Sequence, residues 1–504
     1  MISRRRFLAA LAASVATPAL GADASGLPFR RSHASLPDSS SSVWLDELDW
    51  HYRRAYSLAV RTNQRVPNLP LPQQREVPRR EPGEPPPFDL ATYGRLLRAR
   101  FPELRRHFAF EYYPWYGTLP WRHWNQWSRR PPYDLAVTSV PALGPYDSRD
   151  PKVLERHARW IADSGVGTIN ISWWGQGSYE DQSVPLVMDV IHDHDLKVTF
   201  HLEPYSDKRT DRYADDIEYL LATYGDKRSY DALLVLRDAD GNEGPVLKSF
   251  ATIMPPTSTD CFGRTTPVGL YRPDSDWRRQ TDLVRTTFRR DFDHLHLFAD
   301  SGALDRVQAA GFDGIAMYDS FLRPDRWPSL ARSCRDFRLV FSFNINSGFD
   351  GISQREVPPS SCYSPPRFEP PAALDWTRPL DRERARLLAE GRIDDTARMT
   401  LTLQTDGTLT DNGSGFFMVY INSFNEWHEG TAFEPMRNSS DLLPDEIPFE
   451  YHNPADGSYR LNYLTSRLGP VLNPEIVARG RIGDQPVLAD TVDEGGRNLD
   501  RRIG

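Results

Sequence analysis

Cysteine is scarce in this chain of 504 residues, which contains only Cys261, Cys334 and Cys362. Three cysteines cannot build a scaffold held together by several disulfides, so the fold must rest on an apolar core. One bridge is allowed in an oxidising compartment, but the sequence does not select the pair.

A surplus of positive charge is also absent, because 61 Lys and Arg residues face 69 Asp and Glu residues and give a net charge of −8. Binding to nucleic acid rests on neutralising phosphates with basic side chains, so we predict no nucleic-acid partner. The apolar run near the N-terminus is too short to cross a bilayer. We therefore predict no membrane anchor in the mature protein.

Complete metal-binding patterns are missing as well. The sequence has neither a His-Glu-x-x-His motif nor cysteines paired at zinc spacing. Ligand-type residues occur only as isolated pairs, which are His201 with Glu203, His428 with Glu429, and His192 with His194. The last pair falls on a predicted helix and is interpreted as structural. We predict no metal and no cofactor.

An export signal is present at the N-terminus. The first residues, M-I-S-R-R-R-F-L-A-A-L-A-A, combine a basic start with a short apolar run, and small residues follow at 21–24. Residues 1–24 are therefore a predicted signal peptide, and the arginine pair before the apolar run is typical of the twin-arginine type. We expect an exported protein, periplasmic or secreted.

The rest of the chain divides into three predicted regions. Residues 25–106 form an accessory segment with a helix near 43–62 and a proline-rich run at 66–87, which cannot hold a helix or a central strand. Residues 107–470 form the catalytic domain. Residues 471–504 form a C-terminal tail.

Short β-rich runs alternate with helical patterns throughout the catalytic domain. Alternating βα units predict a parallel sheet. No phosphate-type glycine fingerprint follows the first run, which favours a closed (β/α)8 TIM barrel with long βα loops over an open dinucleotide-binding sheet. The eight predicted strands are 108–113, 167–173, 197–203, 245–251, 294–299, 314–318, 339–345 and 416–423.

The predicted strands end in aromatic and polar residues. A barrel of this type carries its reacting groups at the C-terminal ends of its strands. Aromatic rings beside carboxylates suit a sugar, whose C–H faces stack on rings while its hydroxyls need polar partners. The candidate substrate-binding residues at these ends are Tyr113, Trp115, Tyr116, Trp173, Trp174, His201, Glu203, Tyr205, Tyr318 and Asn425.

Glu426 and Glu429 follow the eighth predicted strand and supply the two carboxylates that cleavage of a glycosidic bond requires. Both can face one cavity if the chain turns after Glu426, and Gly430 favours such a turn. The alternative is a glutamate pair on a solvated helix face. His123 and His201 are predicted to form hydrogen bonds in the pocket wall, with an ordinary core position as the alternative.

Six sequence blocks occur in a fixed order along the chain. They are Y-Y-P-W-Y-G with H-W-N at 112–125, G-P-Y-D-S-R-D-P at 144–151, I-S-W-W-G at 171–175, F-H-L-E-P-Y at 200–205, A-G-F-D-G at 310–314 and S-F-N-E-W-H-E-G-T at 423–431. In this order they resemble glycoside hydrolase family 99 of the bacterial type, which includes bacterial endo-α-mannanases and the Golgi endo-α-1,2-mannosidase. The resemblance extends from about residue 108 to 435.

The resemblance implies a retaining mechanism through a 1,2-anhydro sugar. Glu426 matches the family's base, which deprotonates the sugar 2-hydroxyl, and Glu429 matches the acid/base. The residues that fall where the family lines its subsites are Asn425, Trp173, Glu203, Tyr205 and Tyr318. The sequence departs from the family pattern at 246–251, 255–273 and 349–370.

The predicted function is hydrolysis of internal α-linked glycans, with α-mannosides as the first choice of substrate and an oligosaccharide or polysaccharide as the partner. Another α-glycan is the alternative within the same chemistry. A non-catalytic carbohydrate-binding protein on the same barrel is the alternative from a different class. The presence of both glutamates favours the enzyme.

Overall fold

The computed structural model describes residues 90–238, 240–318, 324–353, 355, 362, 367–369, 374–410 and 417–472. The predicted signal peptide, the accessory helix near 43–62 and the proline-rich run lie outside the described residues. The predicted tail lies outside them too, apart from its first two residues. These regions stay predictions.

The central element is a ring of eight parallel strands, called here the first to the eighth barrel strand. Each strand pairs with the next, and the eighth pairs with the first. The seventh has two halves around Phe343, of which one pairs with the sixth strand and the other with the eighth, so the ring is closed. The strands are Phe108–Tyr112, Thr168–Trp173, Lys197–Leu202, Glu243–Ser249, His296–Ala299, Gly314–Ala316, Val340–Ser342 with Asn344–Asn346, and Val419–Asn422.

The prediction of a (β/α)8 barrel is confirmed, because each of the eight predicted strands overlaps an observed one. Helices follow most of the strands and cover the outside of the ring. The α-helices are Leu90–Arg100, Pro151–Asp163, Tyr179–Asp193, Tyr213–Leu220, Asp274–Phe288, Leu304–Ala309, Trp327–Asp336, Pro379–Thr405, Gly407–Thr410 and Tyr459–Leu472. Shorter helical turns are Leu104–His107, Arg209–Arg212, Leu221–Asp226, Tyr230–Ala232, Pro324–Arg326, Ser439–Asp441 and Ile447–Phe449.

The helix Pro151–Asp163 shows how the sequence forms these elements. The side chain of Asp150 accepts a hydrogen bond from the backbone N–H of Lys152, and Pro151 occupies the first turn, where its missing N–H has no cost. Leu154, Ala158 and Ile161 recur at helical spacing and are fully buried against the barrel.

Short antiparallel strands occur outside the eight barrel strands. Val235–Arg237 pairs with the fourth barrel strand. The hairpins are Gly117–Thr118 with Trp121–Arg122, Thr257–Thr259 with Thr265–Pro267, and Phe349–Asp350 with Arg367–Glu369. The disulfide joins Cys261 in the loop after the fourth strand to Cys362 in the loop after the seventh, and Cys334 is a buried free thiol.

The helix Leu90–Arg100 belongs to the predicted accessory segment, but it packs on the barrel domain. It contacts the helix Tyr459–Leu472, and Leu97 joins the main apolar core together with Phe101 just beyond the helix. The last part of the accessory segment is therefore continuous with the core of the barrel.

A charged cluster fills part of the barrel interior. Glu111 forms an ion pair with Lys248 from the fourth strand, which lies across the ring. Its Oε2 atom also lies 2.9 Å from His201 Nδ1 and accepts a hydrogen bond of 3.0 Å from Asn170 Nδ2. All four side chains are fully buried. Burial opposes ionisation of Glu111, but the charges of His201 and Lys248 outweigh it and lower the pKa of Glu111 to about 2.

We expect Glu111→Gln to lower the free energy of unfolding by about 3–5 kcal/mol, because the change leaves the Lys248 ammonium buried without its counter-charge. Urea unfolding followed by tryptophan fluorescence measures this loss. The matched control is Asp282→Asn, which removes an exposed ion pair with Arg278 and should cost less than about 1 kcal/mol. Equal losses in the two variants would contradict the expectation.

The ion pair of Glu111 with Lys248 also makes the stability of the protein depend on pH in acid. The folded-state pKa of Glu111 is depressed below the ordinary value of 4.5, so its stabilisation is fully present above pH 4.5 and is lost as the pH falls toward 2. The stability of Glu111→Gln should therefore change less than that of the wild type over this range.

Candidate active site

Glu426 and Glu429 lie on segment 423–434, which follows the eighth barrel strand. Both are buried, with exposed fractions of 1% and 6%. Oε1 of Glu426 accepts a hydrogen bond of 3.0 Å from the His428 N–H, and the Glu426 N–H donates to Ser423 Oγ at 2.8 Å. The segment is not helical at this point, so the alternative of a solvated helix face is wrong.

The turn after Glu426 is held by the chain that leaves the seventh barrel strand. Asp350 N–H donates to the Glu429 carbonyl and Ile352 N–H donates to the His428 carbonyl, both at 2.8 Å. Gly430 follows with φ of +62°, a backbone conformation that residues other than glycine rarely adopt. The predicted turn at Gly430 is therefore present.

Two tyrosines connect the sixth and first strand ends to Glu429. The Tyr318 hydroxyl donates to Glu429 Oε2 at 3.0 Å, and the Tyr113 hydroxyl donates to the Tyr318 oxygen at 2.7 Å. The two hydroxyls thus hold the Glu429 carboxyl group in one orientation.

The side chain of Asn425 connects the ends of the first and eighth strands by hydrogen bonds. Its Oδ1 accepts from the Tyr113 N–H at 2.8 Å, and its Nδ2 donates to the Tyr113 carbonyl at 3.1 Å. The side chain is fully buried. Its amide is therefore engaged by the protein backbone beside the glutamates.

A group of aromatic rings, called here the aromatic wall, borders the two glutamates and consists of Trp115, Tyr116, His123 and Trp174. Trp115 stacks on His123 with ring centroids 4.3 Å apart and lies 6.4 Å from Trp174. His123 Nδ1 lies 3.2 Å from His428 Nε2. Burial, then the charges of His428 and Arg122, lower the pKa of His123 well below its ordinary value, so this imidazole is neutral at neutral pH.

Tyr116 belongs to the same wall. Its ring packs on Trp124 with centroids 4.2 Å apart, and its hydroxyl accepts a hydrogen bond of 3.1 Å from the Trp427 N–H. Burial, followed by the charge of Glu426, raises the pKa of Tyr116 well above its ordinary value. Tyr116 therefore stays protonated and ties the first strand end to the residue after Glu426.

The third strand end places its three predicted residues at different depths. His201 reaches down to Glu111 in the barrel interior. Glu203 is fully buried, and its Oε1 accepts a hydrogen bond of 2.7 Å from Ser172 Oγ. Tyr205 is half-buried and its hydroxyl donates to Asp216. Burial and that carboxylate raise the pKa of Tyr205.

Trp173 is placed elsewhere, which corrects its prediction as a subsite residue. Side chains alternate along a strand, and Trp173 shares the outward face with Ile169 and Ile171. It is fully buried, and its Nε1 donates to Asp181 Oδ1 on the next helix at 2.7 Å. Only Trp174 of the two adjacent tryptophans packs with the aromatic wall.

The sequence reasoning missed Lys248 and the buried residues behind segment 423–434. Lys248 Nζ lies 5.2 Å from the ring centroid of Tyr318, directly beneath the tyrosine that contacts Glu429. Its signal was a lysine in the fourth strand, directly after the apolar pair Val246 and Leu247. Within the part of the chain that the structure describes, no group of three or more His, Cys, Asp or Glu side chains is arranged to hold a metal ion. The absence of a metal stays a prediction.

Comparison with known proteins agrees with this geometry. Residues 106–233 match the model of glycosyl hydrolase family 99. A glycoprotein endo-alpha-1,2-mannosidase-like protein of Homo sapiens is 26% identical over 379 residues, covering 67% of this chain and 71% of the relative. The glycoprotein endo-alpha-1,2-mannosidase of Mus musculus is 26% identical over 381 residues, with 68% and 71% covered.

A solved structure has the same fold. The GH99 endo-alpha-mannosidase from Bacteroides thetaiotaomicron, in complex with bis-tris-propane, aligns with a TM-score of 0.50 and 21% identity, over 74% of this chain and all but 1% of that chain. The closed barrel and these relatives together define a glycoside hydrolase. The family whose model matches residues 106–233 is the one that the six sequence blocks resemble.

We expect Gly430→Ala to abolish most activity. A Cβ atom at this position would lie 2.3 Å from the Asp350 carbonyl oxygen, so the backbone beside Glu429 must move. Initial rates on a cleaved glycan measure the loss. Gly177→Ala is the matched control, since Gly177 also has a positive φ but no neighbour within 4 Å of the added atom. Comparable losses in both variants would show that backbone strain, not displacement of Glu429, is responsible.

Proposed function

We propose that this protein hydrolyses internal α-linked glycans, with α-mannosides as substrates, and retains the anomeric configuration through a 1,2-anhydro sugar. The observation that carries the proposal is the pair of buried carboxylates, Glu426 and Glu429, on one segment beside an aromatic wall. The named activity of the relatives, endo-alpha-1,2-mannosidase, supports the choice of substrate.

In the first step Glu426 acts as the base. It removes the proton of the sugar 2-hydroxyl, O2 attacks the anomeric carbon, and the bond to the leaving oxygen breaks as Glu429 protonates that oxygen. In the second step Glu429, now a carboxylate, takes a proton from water. The hydroxide attacks the anomeric carbon, the bond to O2 breaks, and Glu426 returns its proton to O2.

The contacts around each carboxylate suit these roles. The His428 N–H holds Glu426 Oε1 in one orientation. The Tyr318 hydroxyl donates to Glu429 Oε2 and stabilises the carboxylate that the first step leaves behind. Trp174, which is partly exposed beside Trp115, offers ring surface for the C–H faces of a sugar.

We further propose that the enzyme works on glycans outside the cytoplasm, in the periplasm or after secretion. The basic and apolar start of the sequence, with its arginine pair, supports export by a twin-arginine signal. Among the residues that the structure describes, no helix is long and apolar enough to span a membrane.

Two alternatives remain testable beside this function. Another α-glycan could be cleaved by the same carboxylates, or the barrel could bind glycans without turnover. Digestion of a panel of bacterial, fungal and plant polysaccharides by the mature protein, with separation of the products, distinguishes them. Release of internal fragments from α-mannan supports the proposal, and binding without any product favours the non-catalytic alternative.

We expect Glu429→Gln to reduce kcat on unactivated glycans by about 10²–10⁴-fold, because protonation of the leaving oxygen is lost while the shape of the side chain is kept. Calorimetric binding of a glycan product should be unchanged. Glu218→Gln, at an exposed position of the helix Tyr213–Leu220, is the isosteric control and should keep the wild-type rate. A near-native rate in Glu429→Gln would remove this residue from the mechanism.

The role of Glu426 predicts dependence on the substrate 2-hydroxyl. A 2-deoxy substrate should bind without being cleaved, and a 2-fluoro reagent should leave no covalent adduct. If Glu426 attacked the anomeric carbon itself, the 2-deoxy substrate would react and the reagent would label this side chain. Mass spectrometry of the peptide that contains residues 425–429 decides between the two mechanisms.

A further inference from the structure

A further buried carboxylate, that of Glu434, lies behind the two glutamates at the end of segment 423–434. Glu434 is fully buried, and its Oε2 accepts hydrogen bonds from the Tyr146 hydroxyl at 2.7 Å and from Trp427 Nε1 at 3.1 Å. The mechanism described above does not use this carboxylate. Its contacts instead connect the end of the segment to the residue that directly follows Glu426.

Tyr146 connects the same carboxylate to both sides of Glu426. The Tyr146 oxygen accepts from Asn425 Nδ2 at 3.3 Å and from Trp427 Nε1 at 3.2 Å. Glu426 stands between Asn425 and Trp427 in the chain. Tyr146 is part of the G-P-Y-D-S-R-D-P block, which the catalytic chemistry leaves without a role.

The far side of Glu434 is closed by the helix Pro151–Asp163. His157 Nε2 lies 3.2 Å from Glu434 Oε1, although the ring and the carboxylate are not aligned as a hydrogen bond. His157 Nδ1 lies 3.0 Å from the Tyr112 hydroxyl. Burial, then the charge of Glu434, raises the pKa of both Tyr112 and Tyr146 well above its ordinary value. The phenols therefore stay protonated.

This network is buried away from bulk solvent. The residues with exposed fractions of 4% or less are Tyr112, Tyr146, His157, Trp427 and Glu434. Hydrogen bonds to a carboxylate are stronger in such surroundings than in water, and a lost partner is not replaced by solvent. The backbone on both sides of Glu426 is thus tied to one buried carboxylate and one phenol.

We propose that Glu434 and Tyr146 are positioning residues for Glu426, which fix the backbone on both sides of it and thereby aim its carboxylate. The proposal rests on the role of Glu426 as the base in the proposed function. A reacting group must be held to about 0.5 Å, and a displacement of about 1 Å costs on the order of 10²-fold in rate. Loss of either group should therefore act on kcat.

The test compares Tyr146→Phe and Glu434→Gln with a matched control, Tyr224→Phe. Tyr224 is also a buried tyrosine whose hydroxyl donates to a carboxylate, that of Asp181 at 2.7 Å, but it lies on the outside of the barrel. Each of the three variants removes or weakens the hydrogen bonds of one buried side chain, so all three should lower Tm. Tyr146→Phe removes only an oxygen atom, so it provides the test if Glu434→Gln does not fold.

We expect Tyr146→Phe and Glu434→Gln each to lower kcat by about 10–100-fold with KM within about twofold, as for other residues that orient a reacting group. Tyr224→Phe should keep kcat within about twofold. Because both groups act on one segment, the double variant should lose little more than the worse single variant. Wild-type kcat in Tyr146→Phe, or a loss as large in Tyr224→Phe, would overturn the proposal.

Hydrogen exchange separates this proposal from the proposed function. The amides of Glu426, Trp427 and His428 are hydrogen-bonded to Ser423, Tyr116 and Glu426. Their exchange should become at least about tenfold faster in Tyr146→Phe but not in Tyr224→Phe. This readout needs no substrate, so it holds even if the wild type cleaves no α-mannoside. Unchanged exchange at these amides would refute positioning by Tyr146.

Discussion

Closure of the barrel between the first and eighth strands is the constraint on which the site depends. The register places Phe108 beside Val419, so the ends of two strands more than 300 residues apart meet at one edge. Asn425 then bonds to both backbone groups of Tyr113. Without that pairing the aromatic wall and the two glutamates would have no common frame. The arrangement of the aromatic wall beside the two glutamates is therefore a consequence of ring closure.

The polar character of the site continues downward into the barrel. Barrel interiors of this fold are commonly filled by branched apolar side chains. Here a glutamate, a lysine, a histidine and an asparagine occupy the space below the strand ends, and Lys248 lies beneath the Tyr318 ring. Such a cluster is costly to bury and is stable only when its charges are paired. It gives the floor of the site a fixed electrostatic field, which apolar packing could not provide.

Much of the architecture was readable from the sequence, because buried parallel strands appear as apolar runs whatever their partners are. The prediction of Trp173 as a subsite residue overlooked the alternation along its strand, since Ile169 and Ile171 set the outward phase and Trp173 continues it. The pairing of Cys261 with Cys362 and the contact of Tyr146 with Glu434 were not readable from the sequence. Each joins residues about 100 or more positions apart, and no periodicity carries that information.

The disulfide has a consequence for the integrity of the chain. It joins residues 101 positions apart and turns the stretch between them, which includes the fifth, sixth and seventh barrel strands, into a covalent macrocycle. Exposed loops are where proteases cut first. A single cut inside this macrocycle would leave both pieces attached through sulfur. A protein cut there by a protease would still migrate as one molecule until a reductant opened the bridge.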